Sequence, residues 1–344
     1  MPALRDTSSL ESWLLRVWQT RSPSACLLWP LSLLFGMLTS LRRILYRLHL
    51  LPSYRLPVPV IVVGNVVVGG TGKTPLVIWL VEALRQSGYT PGVISRGHGG
   101  KAKAGLIEVV TSSRADHVGD EPLLIAQRAR CPVMVGRDRV AAARALLAAH
   151  PLIDMIISDD GLQHYRLQRS VEIVLFDERG GGNGWLLPAG PLRESMARQR
   201  DVTVLNGQLM PAGLPATCLQ MQVAGDVAEA LSDRRRSMPL NAVTGRIVAV
   251  AGIGNPQRFF NMLRAAGLTI EAIALSDHYV FSAQTFADVQ ADVILMTEKD
   301  AVKCQAVDGI VDDPRMWVVP NSAQVDCALM TIVDNKLILE KLRG

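Results

Sequence analysis

Apolar residues fall into two rhythms along this chain. Short unbroken runs rich in Val and Ile alternate with longer segments in which apolar positions recur every three or four residues. The first rhythm predicts strands buried on both faces, and the second predicts amphipathic helices. Strands are expected at 60–64, 93–95, 107–111, 131–135, 153–158, 171–176 and 202–206, with helices at 75–87, up to 129 and at 139–149. After a weakly patterned stretch, 208–241, a second unit follows, with strands at 247–251, 270–275 and 293–297 and helices at 257–266 and 327–342. Strands alternating with helices indicate an α/β chain built on parallel sheets. With 344 residues, two such domains are expected, over 52–240 and a smaller one over 241–344.

The segment 1–51 has a different pattern. Residues 8–18 predict an amphipathic helix, with capping-box spacing between Ser8 and Glu11 and with Leu10, Trp13, Leu14, Val17 and Trp18 on one face. Residues 25–41 are more uniformly apolar, are interrupted by Pro30, Ser32 and Gly36, and are followed by Arg42, Arg43 and Arg47. The apolar run starts too late and ends in too many arginines for a cleaved signal peptide. A spanning helix, an in-plane anchor and a buried helical hairpin all remain open. The favoured reading is an in-plane anchor, with tryptophans at the interface and arginines on phosphate headgroups.

The strand at 60–64 runs into Gly69-Gly70-Thr71-Gly72-Lys73-Thr74, with Pro75 suited to a first helical turn. Strand, glycine turn and helix in that order predict a phosphate-binding loop. Backbone N–H groups surround the phosphates, Lys73 reaches the terminal one, and the Thr74 hydroxyl meets Mg²⁺. Strict spacing would place glycine at 67, where this chain has Val67. Asp159-Asp160 follows a buried strand, as does the metal-side acid of a P-loop enzyme. Gly119-Asp120-Glu121-Pro122 places two acids at a helix start, and Asp277-His278 follows a strand of the second unit. A carboxylate paired with an imidazole would serve as base for a phosphoryl acceptor, although spacing cannot pair residues of different domains. Glu194 would either join the metal shell or pair with Arg193 or Arg198. Gly252 and Gly254 lack the third glycine of a dinucleotide fingerprint, because Gln257 stands there.

A net charge of +5 favours anionic partners. Three of the six tryptophans (Trp13, Trp18 and Trp29) cluster near the N-terminus, and the later basic residues lack aromatic interleaving. That distribution favours an anionic membrane surface over nucleic acid. The five cysteines are widely separated, so neither a disulfide framework nor a zinc site is expected and a reducing compartment fits. No obligate protein partner is evident.

Several motifs remain to be connected: Ser95-Arg96-Gly97-His98, Asp159 to His164, Gly182-Asn183-Gly184, Pro188 to Glu194, and Thr297-Glu298-Lys299-Asp300. With the glycine-rich loop, Gly119 to Pro122 and Asp277-His278, their order resembles the tetraacyldisaccharide 4′-kinase family of lipid A biosynthesis over nearly the whole chain. The resemblance implies a P-loop kinase-like domain that passes the γ-phosphoryl of ATP to the 4′-hydroxyl of a tetraacylated glucosamine disaccharide 1-phosphate. It implies this reaction at the cytoplasmic face of a bacterial inner membrane. Lys73 and Thr74 would hold triphosphate and Mg²⁺, with Asp159, Asp160 and Glu194 as metal-side acids. Asp120 would be the general base, supported by His278. Arg96, Gln163, His164 and Arg193 would meet the acceptor's sugar and 1-phosphate. His98 departs from the tyrosine more usual in that loop. The alternative is a nucleotide-driven switch, which would carry a lysine where Val68 stands. A lipid-binding scaffold with an inactive loop would not need Lys73, Thr74 and both aspartates intact.

Overall fold

The computed structural model of the chain describes residues 9–98, 100, 105–277 and 279–343. Helices α1 (Ser9–Val17) and α2 (Pro23–Arg47) come first. The first domain then runs β1 (Val60–Gly64), α3 (Lys73–Gln86), β2 (Pro91–Ser95), β3 (Ile107–Val109), α4 (Ala115–Val118), α5 (Asp120–Ala129) and β4 (Val133–Val135). It continues with α6 (Arg139–Ala149), β5 (Met155–Asp159), β6 (Val171–Asp177), β7 (Val202–Asn206) and β8 (Leu219–Ala224). There follow β9 (Val227–Ala230), β10 (Ser237–Pro239), β11 (Ile247–Ala251), α7 (Pro256–Ala265) and β12 (Ile270–Ala274). The chain ends with β13 (Val293–Thr297), α8 (Glu298–Cys304), β14 (Met316–Val319), β15 (Ser322–Val325) and α9 (Ala328–Arg343).

Among the described residues the strands form two sheets, in the orders β15-β8-β7-β6-β1-β5-β2-β4-β3 and β10-β9-β14-β13-β11-β12. In the first sheet β1 lies parallel between β5 and β6, with Val63 level with Asp159 and Gly64 level with Val174. That register brings the phosphate loop and the aspartate pair to one edge, where parallel α/β sheets bind ligands. The unbroken apolar runs are buried on both faces. Ile61 and Val63 enter one core layer with α3, α5 and α9, and Val60 and Val62 enter the other with α6.

The sheets divide the chain less simply than a single cut near 240. Strands β9 and β10 belong to the second sheet, whereas β15 pairs antiparallel with β8 of the first. Leu329, Val333 and Leu337 of α9 complete the first domain's core. The pattern at 208–241 was weak because β8 to β10 are short and half-exposed, so apolar and polar residues mix along them.

Helix α2 is continuous through Pro30, is capped by Ser22, and is long and apolar enough by length and composition to cross a membrane. Only 11% of its most apolar window is buried. Its polar and small interruptions are where it touches the rest of the protein. Ser32 Oγ donates to the Leu186 carbonyl at 2.8 Å and accepts from Ala189 N at 3.0 Å. A Cβ on Gly36 would fall 2.8 Å from Leu186 Cδ1, so glycine lets the helix approach without displacing that side chain. Asn183 holds the turn before α2, donating to the carbonyls of Val17, Thr20 and Ala189. Leu27, Leu31, Leu34, Leu38 and Leu41 form an exposed stripe without a protein partner in the described chain. An apolar surface of this extent marks an interaction site. Replacing Leu31, Leu34 and Leu38 together by Glu is expected to weaken co-sedimentation with anionic lipid vesicles by about tenfold or more. The same variant should hold the thermal midpoint near that of the parent, because these side chains are half-exposed already.

Candidate active site at the sheet edge

The loop from Asn65 to Gly72 is braced from several directions. Val66 and Val67 are buried, Val67 bridges to Leu192, and Val68 N donates to the Pro191 carbonyl at 2.9 Å. These contacts explain the departure from strict motif spacing: the first half of the loop is packed as an extended segment, and glycine is needed only beyond it. Gly69 and Gly72 have φ of 102° and 96°, in the left-handed region that favours glycine. Asn65 Nδ2 donates to the Gly69 carbonyl and to Thr71 Oγ1, both at 3.2 Å, and Asn206 Nδ2 donates to the Thr71 carbonyl at 2.8 Å. Arg179, paired with Asp177, donates to the Gly70 carbonyl at 3.1 Å. Gly72 caps α3 without a side-chain bond, leaving the first-turn N–H groups available to an anion.

Lys73 extends from the start of α3 toward the aspartate pair. Its Nζ donates to Asn65 Oδ1 at 3.3 Å and lies 3.6 Å from Asp160 Oδ1. Asp160 also pairs with Arg193 at 3.3 Å. Burial raises its pKa, but Lys73 and Arg193 outweigh that effect and hold it below the usual carboxylate range. Asp159 differs. It is fully buried and accepts from Ser95 Oγ at 3.0 Å, but its Oδ1 has no partner. Burial, then the charges of Glu121 and Asp160, push its pKa up to about 7. A buried carboxylate oxygen that lacks a cation fits a metal ion beside the phosphates. Among the described residues, no group of three or more His, Cys, Asp or Glu side chains forms a metal cage. A nucleotide-bound Mg²⁺ draws most of its shell from phosphate and water, so a few protein oxygens suffice.

A cavity of about 760 Å³ opens beside these groups. Its lining includes Lys73, Asp159, Asp160, Arg96, Gln163 and Arg193. Leu14, Leu15, Trp18, Phe35 and Arg42 of α1 and α2 also line it. A smaller cavity of about 160 Å³ lies on the other side of Lys73, walled by Thr74, Ile78, Asn206, Ile253 and Asn255.

The remaining expected site residues are placed as follows. Glu194 is buried against the large cavity and accepts from Gln163 Nε2 at 3.1 Å, from Tyr165 OH at 2.8 Å and from Arg198. His164 is turned toward Asp138, 4.0 Å away, while Gln163 and Tyr165 line the cavity. Asp120 opens α5 and is almost completely buried, 3.7 Å from Lys299 Nζ, and its neighbour Glu121 faces the cavity. Asp277, in the second domain like Lys299, lies 3.2 Å from Lys299 Nζ. His278 lies outside the described residues. Sequence reasoning passed over Asn65, Tyr165, Arg179 and Lys299. Of these, Asn65 and Lys299 lay inside motifs already singled out, whereas Tyr165 and Arg179 carried no signal in the sequence.

An anion-binding loop, a lysine, an orphan carboxylate and a cavity large enough for a second substrate together define a P-loop phosphotransferase. The family described as tetraacyldisaccharide-1-P 4′-kinase matches residues 24–338. Among curated proteins, the tetraacyldisaccharide 4′-kinase of Janthinobacterium sp. (strain Marseille) is 59% identical over 98% of this chain and 97% of its own. That of Herminiimonas arsenicoxydans is 55% identical over 100% and 99% respectively. A crystal structure of LpxK from Aquifex aeolicus in complex with ATP superposes with a TM-score of 0.74 at 26% identity, covering 91% of this chain and 99% of that one. The chain belongs to the tetraacyldisaccharide-1-P 4′-kinase family, a family of lipid A biosynthesis kinases.

His164 offers a check on this geometry. Burial, then the charge of Arg139, pushes its pKa down to about 4 from an ordinary 6.5. Because the folded state favours the neutral ring, its stabilising contribution is complete above pH 6.5 and is lost as pH falls through about 4. Urea unfolding across this window should show stability falling toward acid, and His164→Gln should remove about 1–3 kcal/mol of that fall.

Proposed function

We propose that the chain transfers the γ-phosphoryl group of ATP to the 4′-hydroxyl of a tetraacylated glucosamine disaccharide 1-phosphate, at the cytoplasmic face of the bacterial inner membrane. The observation that carries this reading is the large cavity, lined both by Lys73 and the aspartate pair and by apolar residues of α1 and α2. A water-soluble acceptor has no use for such a wall, whereas acyl chains of a membrane lipid continue naturally from it into the bilayer. Arg42, stacked 5.8 Å from the Tyr165 ring at the cavity wall, brings a cation to the depth where a lipid phosphate lies. Contact with Ser32 and Gly36 along one side of α2 favours a helix lying in the interface beside the enzyme.

In this reading the loop N–H groups and Lys73 bind the β- and γ-phosphates, and the nucleotide body extends toward the smaller cavity. Thr74, Asp159 and Asp160 would hold Mg²⁺, with Glu194 bracing the same wall through Arg198. When bound, the ion neutralises phosphate charge and orients the γ-phosphoryl group. Arg96, Gln163 and Arg193 orient the sugar and its 1-phosphate. Asp120, supported by His278, accepts the 4′-hydroxyl proton as the oxygen attacks phosphorus and the bond to the β-phosphate bridging oxygen breaks, releasing ADP. Enclosure by the second domain and α2 excludes water that would otherwise compete as acceptor.

γ-Labelled ATP and purified acyl-disaccharide 1-phosphate in detergent micelles should give label on the lipid. Label found only as free phosphate would overturn the kinase reading. Asp120→Ala should lower kcat by about 10²- to 10⁴-fold while leaving nucleotide affinity nearly unchanged, because a base acts only in the chemical step. Undiminished turnover would reduce Asp120 to a helix-start residue.

A further inference from the structure

Thr297-Glu298-Lys299-Asp300, at the end of β13, is given no role in the chemistry set out above, yet Glu298 and Lys299 reach across to the first domain while Thr297 and Asp300 hold the second domain's own turns. Thr297 caps α8, accepting from Asp300 N at 3.2 Å. Asp300, with no exposed surface, accepts from Gly252 N at 2.9 Å and from Thr297 Oγ1 at 2.7 Å. It therefore fixes the turn at 252–255, which meets the phosphate loop so closely that a Cβ on Gly254 would fall 2.8 Å from Gly70 N. Glu298, also buried, pairs with Arg128 in the last turn of α5 at 2.7 Å and with Arg234 at 2.9 Å, and accepts from Asn321 N at 3.1 Å. Lys299 turns to the other end of α5. Its Nζ lies 3.2 Å from Glu121, 3.7 Å from Asp120 and 3.2 Å from Asp277.

A lysine in the first turn of a helix opposes the helix dipole, and burial opposes its charge. Its place here is explained by the three carboxylates, which hold the ammonium charged well above the ordinary lysine range in spite of burial. Two of those acids open α5 in the first domain and the third belongs to the second. The ammonium therefore joins the domains at the residue assigned as base. Glu298 grips the far end of the same helix, so α8 holds α5 at both ends.

We propose that this segment is the clamp that seats the second domain on the phosphate loop and α5, and that Lys299 is the positioning residue that holds Asp120 at the angle its proton transfer requires. The proposal rests on Asp120 being the base. Without the ammonium, Asp120, Glu121 and Asp277 repel one another and the base leaves its position. The phosphate loop is held by Asn65 and Asn206, through bonds that do not involve Lys299.

Full-length Lys299→Met, Lys299→Arg, Asp120→Ala and the Lys299→Met/Asp120→Ala double variant should be compared for kcat, KM for the lipid acceptor, and affinity for a fluorescent ATP analogue. Lys299→Met is expected to lower kcat about 100-fold with nucleotide affinity within about threefold, and Lys299→Arg to recover at least a tenth of the parent kcat. The double variant should be no slower than Asp120→Ala alone, since a residue acting through Asp120 has nothing left to position. Parent-like kcat in Lys299→Met would overturn the proposal, as would a double variant slower than Asp120→Ala by the full Lys299 factor. So would equal impairment of the Met and Arg variants with nucleotide affinity lost in both. Asp120→Ala retaining full turnover identifies the other failure, that of the base assignment itself.

Discussion

Negative charge crowds the seam between the two domains, and the arrangement of the site follows from how it is balanced. Asp120, Glu121, Asp159, Asp160 and Asp277 converge on a place where a triphosphate must also bind. Lys73 and Arg193 neutralise Asp160, and Lys299 neutralises the acids at the start of α5. Asp159 is left with an unpartnered oxygen and a pKa near neutrality. Protein cations thus cover one part of the cluster and leave Asp159 Oδ1 without a partner. An apolar residue in place of Asp159 would relieve the burial cost and remove the unpartnered carboxylate from the site, a trade between stability and function common at active sites.

The second constraint is access. An acceptor with acyl chains cannot be drawn wholly into water, so the reacting hydroxyl must be reached from an apolar surface. Helix α2 supplies that surface because it is docked by its few small and polar residues. Ser32 and Gly36 face the loop at 186–189, leaving leucines on the remaining faces. Asn183 joins the same loop to the turn between α1 and α2, and Leu192 beyond it bridges to Val67 of the phosphate loop. The route from the exposed apolar helix to the phosphate loop is therefore short and packed, which suits a reaction that must align a lipid with a nucleotide.

Much of this was legible along the chain. The buried strands, the glycine turn opening a helix and the acids just beyond strand ends depend on local pattern, and parallel strands place their C-terminal ends on one edge. The half-exposed strands β8 to β10 were not legible, because a strand with mixed faces has no distinctive period. The return of β15 and α9 to the first sheet was equally hidden. Tyr165 and Arg179 carry no motif of their own, and His164, adjacent to Tyr165, is turned toward Asp138 instead of lining the cavity. Adjacent residues in a loop share a sequence context but not a direction.

By itself the sequence determined the class of chemistry, since Gly69 to Thr74, Asp159-Asp160 and the apolar N-terminal helices each depend on backbone geometry or transfer energies that local composition sets. Only the tertiary structure decided which charges meet. That Glu194 meets Gln163 and Tyr165, that Lys299 spans from one domain to the acids of the other, and that α2 walls the large cavity are consequences of distances between segments far apart in the chain. Coulomb interactions and packing depend on those distances, and residue spacing along a chain does not encode them.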